Sequence, residues 1–215
     1  MTIYQISGLG ADIEVFDNIT LNCPTVFIPW IDPIPNESIE SYAKRMAKDI
    51  NTSEPFSLMG VSFGGIMIQE ISKFLNPEKL FVISSVETPH EIPVYMRFFA
   101  KTGLTKKIPK AGISKTKRIT CMLFGAKKKK EKAFISRILD SINIEYVRWG
   151  LTQIGLWKGT PENKNVIRLH GKNDLLFPTR NLKNIDYWLS GGHLASNTDG
   201  ETISTIVNKE LSNLS

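Results

Sequence analysis

The sequence is poor in several features that would narrow its role quickly. It has two cysteines, Cys23 and Cys121, in 215 residues. Neither has partner spacing for a zinc site or a redox motif, so both read as ordinary thiols of a reducing compartment. No run approaches the ~18 to 20 unbroken apolar residues of a membrane span. The opening "MTIYQISGLG" has no basic stretch leading into an apolar one, so no secretory signal is legible and a cytoplasmic location is expected. No internal repeat is visible. Histidine occurs three times, as His90, His170 and His193, which leaves few candidates for imidazole chemistry.

Acid is what one segment lacks. Residues 101–132 hold 12 bases and one acid, Glu131, a local charge of +11. The remainder of the chain carries −5, so the net +6 hides a mildly acidic body with a strongly basic segment. Composition is otherwise ordinary for a globular protein, 41% hydrophobic and 22% charged. The length fits one domain with a substantial core and one insertion.

Short apolar runs alternate with helical patterns. Strand-like runs are "TIYQIS" at 2–7, "TVFIPW" at 25–30, "FSLM" at 56–59, "LFVIS" at 80–84, "NVIRLH" at 165–170 and "DYWLS" at 186–190. Between them, Ile39, Tyr42, Ala43, Met46, Ala47 and Ile50 recur at helical spacing, residues 63–75 read as an apolar helix ended by Asn76-Pro77, and Ile203, Ile206, Val207 and Leu211 share one face of a last helix. Such alternation predicts a doubly wound, mostly parallel α/β sheet of about six strands covered on both faces. It breaks over residues 88–160, which read as a mostly helical, lysine-rich insertion with one long helical pattern from Lys132 to Trp157. Residues 1–87 and 161–215 then form the core.

In "FSLMGVSFGG" a strand turns abruptly into a helix at Ser62. Gly60, Gly64 and Gly65 leave room for the corner, which lifts the hydroxyl out of the sheet beside the free N–H groups of a helix N-terminus. A glycine-rich packing turn would read the same way, so the serine needs partners: a base, and an acid to orient that base. His193, in "SGGHLAS", follows the last strand at its carboxyl end. Asp174, in "HGKND", follows "NVIRL" at the same edge, where open α/β sheets bind ligands. His90, in "ETPHEIP", is the rival base, and His170 reads as structural.

At this point the chain resembles the α/β-hydrolase family, in the form that lacks the first hairpin. "GVSFGG", "HGKND" and "GGH" stand in that family's chain order of Ser, Asp, His, and the insertion lies where the family carries a cap or lid. The resemblance spans essentially the whole chain. It implies Ser62 as nucleophile, His193 as general base and Asp174 as orienting acid. It further implies oxyanion donors from the backbone N–H of Phe63 and, after the first strand, of Leu9 or Gly10. Ser7 stands where many members have a histidine.

The activity implied is a serine hydrolase of carboxylic esters or thioesters, working through an acyl-enzyme on a small-molecule substrate. No metal or organic cofactor is called for. The fold hosts other reactions, and a ligand-binding or scaffold protein that keeps the pocket without turnover is the alternative. Met96, Phe98, Phe99, Trp149, Leu151, Ile154, Leu156 and Trp157 give the insertion apolar material for a pocket. Its lysines either solvate an exposed lid or meet an anion: an acidic group on the substrate, an anionic membrane surface or an acidic carrier protein. Nucleic acid is not expected, because aromatic residues do not interleave with the charge.

Overall fold

Six apolar runs form strands, and every pairing between them is parallel. The computed structural model describes residues 1–109, 115–160 and 165–213; Lys110, in the basic segment, lies outside the described residues. The strands are β1 (Thr2–Ile6), β2 (Thr25–Phe27), β3 (Phe56–Val61), β4 (Leu80–Ile83), β5 (Val166–Gly171) and β6 (Tyr187–Leu189), in spatial order β2-β1-β3-β4-β5-β6. The register aligns Ile6 with Gly60, Val61 with Ile83, Ile83 with Leu169 and Gly171 with Leu189. The loops that follow the strands therefore open along one edge.

Successive strand residues face opposite sides of a sheet, and β3 uses both sides. Phe56 and Leu58 pack with Tyr42, Met46, Ile66 and Met67 in one core. Met59 and Val61 pack with Phe81, Leu169, Ile203 and Val207 in the other. The first face is covered by α1 (Ile39–Met46) and α2 (Phe63–Ile71), the second by α8 (Gly200–Ser212). Helix α2, mostly apolar, is buried at all nine positions. Its one buried glutamate, Glu70, accepts hydrogen bonds from Trp157 Nε1 at 2.7 Å and Lys73 at 2.6 Å.

Between β4 and β5 lie α3 (Val94–Lys101), a 3-10 turn (Leu104–Lys107), α4 (Lys117–Leu123), α5 (Lys129–Ser141) and α6 (Ile144–Leu156). The single long helix expected from Lys132 to Trp157 is in fact two. The break falls at Ile142 and Asn143, which both adopt extended backbone angles, and the Asn143 side chain accepts the Glu145 N–H at 2.9 Å to cap α6. A side-chain cap of this kind competes with helix continuation, and periodicity alone does not register it. Helix α7 (Ala195–Thr198) is a short turn ahead of α8.

Candidate active site

Ser62 occupies the corner between β3 and α2 with φ 55° and ψ −118°, a region that non-glycine residues rarely adopt. Such a conformation costs ~1 to 3 kcal/mol and persists only when the surroundings enforce it. Here they do. The Ser62 N–H bonds the Ile83 carbonyl at 2.9 Å, and the Ser85 hydroxyl donates to the Ser62 carbonyl at 2.6 Å. The chain also passes itself closely: a Cβ on Gly60 would meet the Gly64 backbone, and one on Gly64 would meet the Ile6 and Ser7 carbonyls.

His193 and Asp174 come to the same place from the loops after β6 and β5. His193 Nε2 lies 2.8 Å from Ser62 Oγ, and His193 Nδ1 lies 2.8 Å from Asp174 Oδ2. A carboxylate can only accept, so Nδ1 carries the proton. In the neutral ring the bare Nε2 then faces the serine hydroxyl.

Asp174 is almost fully buried and has all its partners. Oδ1 accepts the Leu176 and Phe177 N–H groups at 2.8 and 2.9 Å. Oδ2 accepts from His193 and also from His170 Nε2 at 3.1 Å. Burial by itself raises this carboxyl, but attraction to His193 and the hydrogen bonds from His170 and His193 outweigh it. The net effect holds Asp174 well below the usual carboxylate range. His170 Nε2 also donates to the Phe177 carbonyl at 3.0 Å. His90 is exposed in the loop after β4; the imidazole that reaches Ser62 is His193.

The loop after β1 lies against the serine. A Cβ on Gly8 would sit 3.4 Å from Ser62 Cβ, and the Leu9 side chain packs into the space left by Gly150 of α6. Phe63 opens α2 with its backbone N–H at the helix N-terminus, and its ring stacks on Trp30 at 5.2 Å. Ser62 and His193 open into a cavity of about 390 Å³ whose other walls include Leu9, Met96, Ile138, Leu151 and Ile154. Among the described residues no charged side chain lines it. Phe98, Phe99 and Leu156, counted above as pocket material, are exposed, and Trp157 is buried in the core against Glu70.

No protein-family model matches the sequence, and no curated protein sequence matches it significantly. Solved structures match over nearly its whole length. A hydrolase from Oleispira antarctica superposes with TM-score 0.74 over 99% of this chain and 91% of that one, at 13% identity. A thermophilic esterase from Thermogutta terrifontis gives 0.73 over 99% and 90%, at 12% identity. An enol-lactonase from Burkholderia xenovorans gives 0.72 over 98% and 91%, at 13% identity.

The chain has the α/β-hydrolase fold. Within this α/β-hydrolase architecture, three contacts hold the site together that sequence reasoning did not find. Trp30, after β2, donates its indole N–H to Ser7 Oγ and the Gly8 carbonyl, both at 2.9 Å, while Ser7 donates to the Ala11 carbonyl at 2.7 Å. A serine and a tryptophan thus brace this loop. Asp199 grips the loop that carries His193 through Ser190 and Gly191. Phe124, at the end of α4, lies 4.7 Å from the His193 ring, edge to face. Only the position of Trp30 at a strand's carboxyl end offered a signal.

Among the described residues the basic side chains of segment 101–132 lie outside the cavity, although its Ile108, Ile119 and Leu123 line it. Lys117, Arg118, Lys127, Lys128 and Lys132, with Lys172 and Arg180, border a separate groove of about 1160 Å³ whose lining includes Asp174 and Gly192. Lys117 pairs with Asp140 at 2.6 Å. Among the described residues no group of side chains could hold a metal ion, and no helix is long and apolar enough to cross a membrane.

Proposed function

We propose that this protein is a serine hydrolase of carboxylic esters or thioesters with an apolar acyl chain. The observation that carries the proposal is the continuous set of 2.8 Å contacts from Ser62 through His193 to Asp174, with Ser62 and His193 lining a cavity whose described walls carry no charged side chain. The esterase and lactonase names among the structural neighbours support the same class of reaction.

His193 Nε2 takes the hydroxyl proton as Ser62 Oγ bonds to the substrate's carbonyl carbon. Asp174 keeps Nδ1 protonated and stabilises the imidazolium that forms. The oxyanion is met by the N–H of Phe63 and that of Leu9, each such donor lowering the barrier by ~3 to 4 kcal/mol. As the tetrahedral intermediate collapses, His193 returns the proton to the departing alcohol or thiol. Water, activated by the same imidazole, then releases the carboxylic acid and restores Ser62. No metal or organic cofactor takes part in this scheme.

Residues 88–160 act as a lid in this reading, with α3, α5 and α6 forming the acyl wall. At the roughly 30 Å³ that a water-sized group occupies in a liquid, about 390 Å³ accommodates about a dozen methylene-sized groups. Medium-chain acyl groups are therefore expected to fit best. The test is hydrolysis of a series of 4-nitrophenyl esters and matching thioesters by wild type, Ser62→Ala and His193→Ala. Turnover confined to wild type supports the proposal. No turnover at any chain length, or turnover unchanged in Ser62→Ala, rejects it.

A further inference from the structure

Helix α3 turns its largest apolar side chains away from the protein. Its inner face is held to α6 at close range: Ala100 is buried where a Cβ on Gly155 would collide with it, and Met96 reaches the cavity. Val94, Tyr95, Phe98 and Phe99 share the opposite face at spacings of one, four and five residues. Val94 is 72% exposed and Phe98 56%. The Phe99 ring lies 6.4 Å from Tyr95 and 6.0 Å from Phe98, so the side chains form one patch. Leu104, from the turn that follows, is exposed as well. Single apolar residues at a surface are ordinary, whereas a contiguous group of large ones marks an interaction site.

The charges that α3 and the turn after it carry have one sign. Lys101, Lys106 and Lys107 are exposed at its C-terminal end, and residues 92–130 contain no acid. Among the described residues none of these three lysines forms an ion pair. Burial, and then the Asp174 carboxylate, push the Tyr95 phenol above its ordinary value.

We infer that α3 and the turn Leu104–Lys107 dock on an anionic lipid surface. Val94, Tyr95, Phe98, Phe99 and Leu104 enter the boundary between headgroups and acyl chains, and the three lysines extend along their stems to the lipid phosphates. A lipid surface suits the patch better than an acidic protein does. Its apolar part offers one polar group, the Tyr95 hydroxyl, whereas a protein interface carries about one hydrogen bond per 100 to 200 Å². The inference adds a substrate source to the hydrolase reading without depending on it.

The experiment is co-sedimentation with phosphatidylcholine vesicles, with and without phosphatidylglycerol. It compares wild type, Ser62→Ala, the pair Phe98→Ser/Phe99→Ser and the triple Lys101→Glu/Lys106→Glu/Lys107→Glu. Wild type and Ser62→Ala should bind the mixed vesicles alike, roughly tenfold or more tightly than phosphatidylcholine alone, with the preference lost at high salt. Both multiple variants should lose about tenfold or more in vesicle binding while keeping their circular dichroism and hydrolysis of a short water-soluble ester. Vesicle binding of this pattern without any ester hydrolysis sinks the hydrolase reading and leaves the docking surface standing. Failure of wild type to bind, or equal binding by both multiple variants, overturns the inference. Binding to soluble polyglutamate with none to vesicles overturns it in favour of an acidic protein.

Discussion

Asp199 reaches back to Ser190 and anchors the loop that delivers His193. Its Oδ1 accepts both the Ser190 N–H, at 2.9 Å, and the Ser190 hydroxyl, and its Oδ2 accepts the Gly191 N–H at 3.1 Å. Although Asp199 sits at the N-cap position of α8, its side chain makes no cap hydrogen bond there. The carboxylate serves the loop instead. Hydrogen bonds to a charged group are worth ~1.5 to 3 kcal/mol each. Asp199→Ala should therefore slow reaction of Ser62 with a fluorophosphonate by about tenfold to a hundredfold, because His193 is no longer held at 2.8 Å from Oγ. Asp199→Asn, which keeps acceptor capacity, should restore part of the rate. Equal rates in all three proteins would mean that the loop holds itself.

Trp30 should matter for rate more than for binding. Trp30→Phe keeps most of the ring that stacks on Phe63 but removes the N–H that braces Ser7 and Gly8. With that brace gone, the loop that carries the proposed Leu9 donor should shift. A fall of about tenfold in kcat with KM near wild type is the expected split, because the loss is felt chiefly in the transition state. An effect on KM alone would place Trp30 in the substrate pocket.

In the proposed reaction the cavity sets chain length. Ile138 lies on α5 in its wall, and Ile138→Trp fills space equivalent to a few methylenes. At ~0.8 kcal/mol per methylene, losing three methylenes' worth of burial lowers kcat/KM for the longest accepted ester by roughly fiftyfold. A short ester that never reaches Ile138 should change by about twofold or less. A uniform drop across the series would indicate a disturbed fold instead.

Stability should carry a signature of Asp174 at acid pH. Its folded-state pKa lies below that of the unfolded chain, so the stabilisation is fully present above the ordinary carboxylate range and is lost as pH falls through the folded value. Urea midpoints of wild type should therefore decline more steeply than those of Asp174→Asn between about pH 5 and about pH 2. Parallel curves would show that the carboxylate is not held down by its histidine partners.

The strands were readable because each is a short apolar run closed by glycine, proline or a polar cluster, and parallel order followed from the helices between them. Placement of Ser62, Asp174 and His193 on one edge followed from the same pattern, since all three stand just after strands. The bracing contacts were not readable. Trp30 to Gly8 and Asp199 to Ser190 depend on where loops meet in space, which periodicity does not encode. The break at Asn143 was hidden because the residues on both sides keep helical spacing. Phe98 and Phe99 looked like pocket lining because hydrophobicity gives no direction. The close approach of Ala100 to Gly155 and the exposure of Phe98 and Phe99 show that α3 faces the other way.

The central claim is that His193 activates Ser62. Intact-protein mass and peptide mapping after fluorophosphonate treatment test it most directly, on wild type, Ser62→Ala and His193→Ala. One adduct on Ser62 in wild type, absent in Ser62→Ala and slowed by about a hundredfold or more in His193→Ala, is the predicted result. A folded wild-type protein that takes no adduct, or labels equally fast without His193, would contradict it.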